Sequence, residues 1–270
     1  MSTEPASTEP DLSDVYSPVR TRLAGEHGDV LLITINRSHK RNAIDQETAD
    51  LLDAAMERLD HGDGIRAGIL TGAGGNFSAG TDLTSASAPR TERGGSYGLV
   101  RRVRRRPLIA AVEGLALGGG MEIALACDLV VAAEDATFGL PEALRGLVAN
   151  CGALFRGAEK LTPNVALELL LTGERLGAPR AQQLGFVNWV TEHGEAVTGA
   201  LQLAAAITRS GPEAVADVLA TVGAARVAQE EQLWLLTEQA AARSHTSSEA
   251  HEGVSAFLEK REPAWRAHLA

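Results

Sequence analysis

Two glycine-rich turns, each following an apolar run, constrain this chain more than any other feature. The first spans residues 72–80 behind an apolar run at 65–70. The second is Gly118-Gly119-Gly120, behind Leu108–Val112 (LIAAV). Glycine has no Cβ, so the backbone turns tightly and bare N–H groups can face outward. Where such a turn opens a helix, the helix N-terminus adds partial positive charge, which suits an oxyanion or a phosphate. Both turns sit in an alternating pattern. Val30–Ile35 (VLLITI) reads as a strand ending at Asn36-Arg37-Ser38, and Leu51, Leu52, Ala55, Met56 and Leu59 recur at helical spacing over residues 46–59. A helix is expected at 121–126, a strand at 128–133, a short edge at Thr137-Phe138 and a turn or helix at Pro141-Glu142. One further strand is expected near 186–190, and Ala- and Glu-rich helices fill 194–243. The pattern predicts an α/β core of stacked βα units, with the helical remainder as a cap or assembly element.

With 270 residues, 44% of them hydrophobic, the chain can bury a substantial core without covalent staples. We divide it into a disordered tail over residues 1–18, a core over 19–195 and a helical region over 196–270 that belongs to the same domain. The tail is rich in Ser, Thr, Pro and Glu, unlike a signal peptide. Cys127 and Cys151 form no CxxC pair, so neither a disulfide framework nor a metal site is expected, and a reducing, cytoplasmic setting fits. No apolar run approaches the roughly 18 residues of a membrane span, so no membrane partner is expected. The net charge of -10 argues against nucleic acid as a partner. Arg101, Arg102, Arg104, Arg105 and Arg106 form a local basic cluster. It is expected on a helix after a polar loop at 84–95, either as a solvated face or against phosphates.

The dinucleotide pattern GxGxxG fails at its last position in Gly72-Ala73-Gly74-Gly75-Asn76-Phe77, and no GK[ST], HExxH or GxSxG occurs. These absences disfavour a nicotinamide enzyme, an NTPase, a zincin and an α/β hydrolase. Two carboxylates stand beside the turns: Glu122, two residues past the triple glycine, and Glu142, after Pro141. Acidic residues are favoured in the first turn of any helix, so spacing alone leaves a structural and a catalytic reading open for each. The seven histidines are scattered and read as surface residues.

Several ordered motifs resemble the crotonase (enoyl-CoA hydratase/isomerase) superfamily. They are Asn36-Arg37 with Arg41-Asn42-Ala43, Phe77-Ser78-Ala79-Gly80-Thr81-Asp82-Leu83, the stretch 107–122, Cys127-Asp128, Phe138-Gly139-Leu140-Pro141-Glu142, Leu171-Thr172-Gly173-Glu174 and the segment 252–261. The resemblance implies a crotonase-type ββα spiral core and a C-terminal helical trimerisation region, assembled as a homotrimer or dimer of trimers. It implies an oxyanion hole from the N–H groups of Thr81 and Gly119, and a coenzyme A pocket at Ala43 and Ala79. Phe257 and Lys260 are expected to reach a neighbouring subunit's CoA site. Both glutamates that hydratases of the family use are retained, as Glu122 and Glu142. The implied activity is hydration of a 2-enoyl-CoA to a 3-hydroxyacyl-CoA, a lyase reaction, with Glu142 giving a proton to C2 and Glu122 holding the water. The acyl-CoA is the partner molecule, and no cofactor is expected beyond the coenzyme A of the substrate. Sister reactions on this scaffold are double-bond isomerisation, which usually retains only the carboxylate at the Glu142 position, and dehydration of a specialised 3-hydroxyacyl-CoA. From another class, an acyl-CoA-binding protein without turnover is disfavoured by the two glutamates. One departure bears on acyl preference and on the reaction: Ala149-Asn150-Cys151-Gly152 stands where hydratases carry a PGAGG-like segment, with Asn150 in place of a glycine.

Overall fold

Strands buried on both faces must be apolar along their whole length, and the centre of this chain is written that way. In the computed structural model, which describes residues 16–85 and 88–266, β1 (Val19–Ala24), β2 (Val30–Ile35), β3 (Ala67–Gly72), β6 (Leu108–Val112), β8 (Leu129–Ala133) and β11 (Trp189–Thr191) form a six-stranded sheet in the order β1-β2-β3-β6-β8-β11. β1 pairs with β2 antiparallel and the other neighbours are parallel. A second sheet, ordered β10-β9-β7, holds β7 (Leu115–Leu117), β9 (Thr137–Gly139) and β10 (Arg175–Gly177), while β4 (Arg90–Thr91) and β5 (Gly95–Ser96) make a separate two-stranded ribbon. After a short bend β6 continues into β7 and β8 into β9, and Ser78, beyond β3, bridges Ala116 of β7. The chain therefore climbs as a ββα spiral, the α/β architecture expected.

The period-two alternation along each strand feeds two cores. Leu31, Ile33 and Ile35 face helix α1 (Gln46–His61) through Leu52, Met56 and Leu59, and join Met121 of α2 (Gly119–Ala126). On the other face Val30, Leu32, Ile69, Ile109 and Val131 receive Ala196, Ala200 and Ala204 of α6 (Ala196–Thr208). Asp45 caps α1 by accepting from the Thr48 N–H at 2.9 Å. α3 (Ala153–Lys160), α4 (Pro163–Thr172) and α5 (Ala178–Gln183) add Ala153, Val165, Leu169, Ala178 and Ala181 to the first core, and α7 (Pro212–His245) and α8 (Ser248–Glu259) complete the described helices. Among the described residues no helix is long and apolar enough to cross a membrane. The tail expected over 1–18 falls, through residue 15, outside the described residues. Ser17 and Pro18 are fastened to β2's end, where Asn36 donates to their carbonyls at 3.0 and 2.7 Å.

The arginine cluster departs from expectation. Residues 101–106 form no helix, and two of the arginines turn inward: Arg102 and Arg104 are nearly buried, at 9% and 4% side-chain exposure, while Arg105 is exposed. Arg102 spans Asp53, Glu57 and Asp60, which share one face of α1 at 3.0, 2.6 and 3.2 Å. Arg104 pairs with Asp128 at 2.8 Å, Arg106 donates to the carbonyls of Leu59 and Gly62, and Arg101 pairs with Glu238 while lying 4.1 Å over the Trp234 ring. A helix would have splayed these guanidiniums in several directions. The irregular segment aims each of the four at its own acceptor, Arg102 and Arg104 inside the protein and Arg101 at the surface, and leaves Arg105 exposed.

A second buried pair anchors the C-terminal helices. Arg156 of α3 meets Glu230 of α7 through two parallel bonds of 2.7 Å, and both residues are buried. Removing one partner leaves the other charge stranded. Glu230→Ala is expected to lower unfolding stability by about 3–5 kcal/mol in urea titration; a loss below about 1 kcal/mol, the range of an exposed pair, would show that α7 is held by its apolar contacts alone.

Candidate active site

The first glycine turn is shaped by a buried asparagine. Asn42 donates to the carbonyls of Ala73 and Asn76 at 2.8 and 2.7 Å and accepts from the Arg37 N–H at 2.9 Å, locking the loop at 36–45 onto the loop at 73–82. Arg37 reinforces the junction through Asp45, Asp82 and the Ala43 carbonyl. Ala79 donates to the Arg41 carbonyl and Ser78 to that of Asn42, so Ala43 and Ala79 come together beside the turn. Ile44 and Thr81 form a parallel bridge that uses the Gly80 carbonyl and the Asp82 N–H. In that register the N–H of Thr81 itself points away from Ile44.

The second turn arrives alongside. Gly118 precedes α2 with φ 55, and Gly119 is the helix's first residue, so its N–H has no acceptor within the helix. A methyl group on Gly80 would lie 2.6 Å from the Gly119 nitrogen. The N–H groups of Thr81 and Gly119 thus belong to touching turns, and neither has a hydrogen-bond acceptor among the described residues.

Both glutamates face this junction. Glu122, 2% exposed, extends from the first turn of α2 and accepts from the N–H groups of Cys151 and Ala153 at 2.6 and 3.1 Å. Glu142 immediately precedes the short 3-10 turn Ala143–Arg145 without its side chain bonding the turn's N–H groups, and one of its oxygens would lie 3.1 Å from a methyl group on Gly118. Its other oxygen is buried with no partner among the described residues. Burial pushes the Glu122 carboxyl up to about 7 against the pull of its two amide donors, and burial together with the negative charge of Glu122 pushes Glu142 up to about 8. Near neutral pH the pair holds a proton that ordinary glutamates have lost.

Residues 25–268 match the enoyl-CoA hydratase/isomerase family. The chain belongs to that family. It is 38% identical over 251 residues to the mevalonyl-coenzyme A hydratase of Aspergillus fumigatus, covering 88% of this chain and 91% of the relative. To an enoyl-CoA hydratase of Mycobacterium tuberculosis it is 38% identical over 251 residues, covering 89% and 94%. The solved structure of a carnitinyl-CoA dehydratase from Mycobacterium avium superposes with a TM-score of 0.85 at 42% identity, covering 93% of this chain and 99% of that one.

Within this member of the enoyl-CoA hydratase/isomerase family, the side chain of Asn150 makes no hydrogen bond to either glutamate among the described residues. Its oxygen lies 3.2 Å from the Cys151 sulfur and its nitrogen 3.5 Å from His245, while the backbone after it supplies the amides that bind Glu122. The Phe257 ring stacks 4.2 Å from the Arg145 guanidinium of the same chain, and Lys260 ends α8 with φ 57. Gly253 lets α8 lie directly on the Arg145 backbone, so the helix buttresses the turn that carries Glu142. His193 bonds Asp135 at 2.9 Å near Glu113, but Glu113 is engaged by the N–H groups of Gly194 and Ala196.

Sequence reasoning missed Tyr97. It lies in the stretch expected to be loop and helix, yet it is 3% exposed, and its hydroxyl is 2.8 Å from the Thr81 hydroxyl. A methyl group on Gly119 would collide with that same hydroxyl. The signal was present as a lone aromatic in Gly94-Gly95-Ser96-Tyr97-Gly98.

The raised carboxyls carry a consequence for stability. Folded Glu122 and Glu142 keep their protons to higher pH than the unfolded chain does, so their contribution is fully present below the ordinary value of 4.5 and is lost as pH rises through about 7 and about 8. The urea midpoint of the wild type is expected to fall more steeply between about pH 5 and about pH 9 than that of an E122Q/E142Q double variant. Equal slopes would mean that the pair titrates as ordinary glutamates.

Proposed function

We propose that the protein catalyses the reversible addition of water across the double bond of a 2-enoyl-CoA, giving the 3-hydroxyacyl-CoA. The observation that carries this reading is the convergence of two carboxyls, Glu122 and Glu142, on a pair of backbone N–H groups that have no acceptor among the described residues. Addition of water to a double bond conjugated with a thioester moves negative charge onto the thioester oxygen. Donors fixed before the reaction stabilise that charge without reorganising, and each is worth about 2.7–4 kcal/mol. Thr81 and Gly119 are the donors in this reading, aided by the N-terminus of α2. Ionised Glu122, steadied by the amides of Cys151 and Ala153, holds water and accepts its proton as the oxygen bonds to C3. Protonated Glu142 delivers the proton that C2 takes. One proton enters the pair as one leaves, which suits two carboxyls that titrate near neutrality.

Ala43 and Ala79, in loops flanking the donors, are assigned to the coenzyme A side, and no further cofactor enters the scheme. The same groups run the reverse direction, and likeness to a carnitinyl-CoA dehydratase favours a 3-hydroxyacyl thioester as an alternative starting point. Isomerisation is less well supported, because it leaves the two amide donors on Glu122 without a task. The proposal includes assembly as a homotrimer or dimer of trimers, with Phe257 and Lys260 near a neighbour's coenzyme A. Exposed Val218, Val222, Leu235 and Leu236 along α7 support such an interface.

Purified protein is expected to bleach the ultraviolet absorbance of crotonyl-CoA, and Glu122→Gln and Glu142→Gln are each expected to lower kcat by about 10²–10⁴-fold. The wild-type rate should be bell-shaped in pH, falling below about 7 as Glu122 gains a proton and above about 8 as Glu142 loses one. Full activity in either Gln variant would overturn the assignment.

A further inference from the structure

We propose that Tyr97 is a specificity-determining residue that closes the acyl end of the site and restricts it to short acyl thioesters. The inference rests on the proposed reading of the donors and adds the substrate's length. With the thioester oxygen held by the N–H groups of Thr81 and Gly119, C2 and C3 must lie between those donors and the two glutamates. The Tyr97 hydroxyl touches three sides of that space at once. It is 2.8 Å from the Thr81 hydroxyl, it lies against the Cα face of Gly119, and it borders Cys151 on the side of Glu122. An acyl chain continuing beyond C3 meets the phenol.

The ring is fixed in place. Tyr97 adopts φ 57, a left-handed conformation that a bulky residue keeps only where its surroundings enforce it. The enforcement is visible on both sides. Gly95 and Gly98 flank it with φ 66 and 76, Gly98 is pressed against the Ala49 carbonyl of α1, and the Tyr97 N–H donates to the Pro89 carbonyl at 3.0 Å. Burial, with the charges of Cys151 and Glu122 adding to it, pushes the phenol well above the ordinary tyrosine range, so it stays a neutral hydroxyl. Cys151, itself buried, adjoins the phenol.

The test compares binding of saturated acyl-CoAs with turnover of unsaturated ones. Butyryl-CoA and octanoyl-CoA are titrated calorimetrically into the wild type, Tyr97→Phe and Tyr97→Gly, the glycine being free of strain at positive φ. In parallel, hydration of crotonyl-CoA and of 2-octenoyl-CoA is measured. The wild type is expected to bind butyryl-CoA at least about tenfold more tightly than octanoyl-CoA. Tyr97→Phe should keep that ratio and Tyr97→Gly should erase or invert it. Equal affinity for both chains in the wild type would overturn the proposal even if Tyr97→Gly fails to fold, as would an unchanged ratio in folded Tyr97→Gly. Length discrimination without hydration of either substrate would sink the proposed reaction and leave Tyr97's role standing. Hydration of both substrates at equal kcat/KM would do the reverse, and failure to bind either ester would overturn both.

Discussion

A side chain on Gly80 would push its Cβ to within 2.6 Å of the Gly119 nitrogen, and the candidate site depends on that contact. Two backbone segments can approach so closely only where neither carries a Cβ. The approach is set by strand register. Ser78 pairs with Ala116 in the small sheet, Ile44 pairs with Thr81 from the other side, and Gly118 donates to the Gly139 carbonyl. The three successive turns of the spiral are thereby stapled at one level, and the amides of Thr81 and Gly119 emerge together. Glu122 follows because α2 starts at Gly119, and Glu142 follows because β9 ends beside Gly118.

The electrostatics grow from the same packing. A lone buried carboxyl is neutralised by desolvation, and two buried side by side cannot both ionise without repulsion. The two amides after Asn150 favour charge on Glu122, whereas the Glu142 oxygen that has no partner among the described residues favours a proton there. Identical residue types thus acquire different tendencies from their surroundings: backbone amides on Glu122, and burial beside a charged neighbour on Glu142. The turn that holds Glu142 is in turn pressed by α8 through Gly253, and the Arg156–Glu230 pair ties α7 to the helix that follows the Glu122 amides. The C-terminal helices therefore support the site from within one chain, whatever they do between chains.

Much of this was legible in the sequence because it is local. The run VLLITI and the pentapeptide LIAAV became β2 and β6 with the expected bounds, and the glycine turns fell where the strands end. β1 was not foreseen as a strand, since this edge strand is buried only at its two ends, Val19 and Ala24, and the Arg20-Thr21-Arg22 between them carries no apolar signal. The strand expected at 186–190 forms instead at Trp189–Thr191, because Asn188 is used to bond the start of β8. The arginine cluster misled because the partners of Arg102 lie on α1, more than forty residues away, and nothing in a charge run announces them. Tyr97 was missed because its segment has no periodicity. Glu122 and Glu142 stood out by resemblance, whereas spacing alone left each with an ordinary structural explanation.

The central claim is that this geometry adds water, and it is tested most directly by incubating a short 2-enoyl-CoA with the protein in deuterium oxide and reading the product by NMR. The account requires a 3-hydroxyacyl-CoA with oxygen at C3 and a single deuterium at C2. A product whose double bond has moved one carbon along the chain without gaining oxygen would contradict it, as would thioester recovered unchanged from folded protein that binds it.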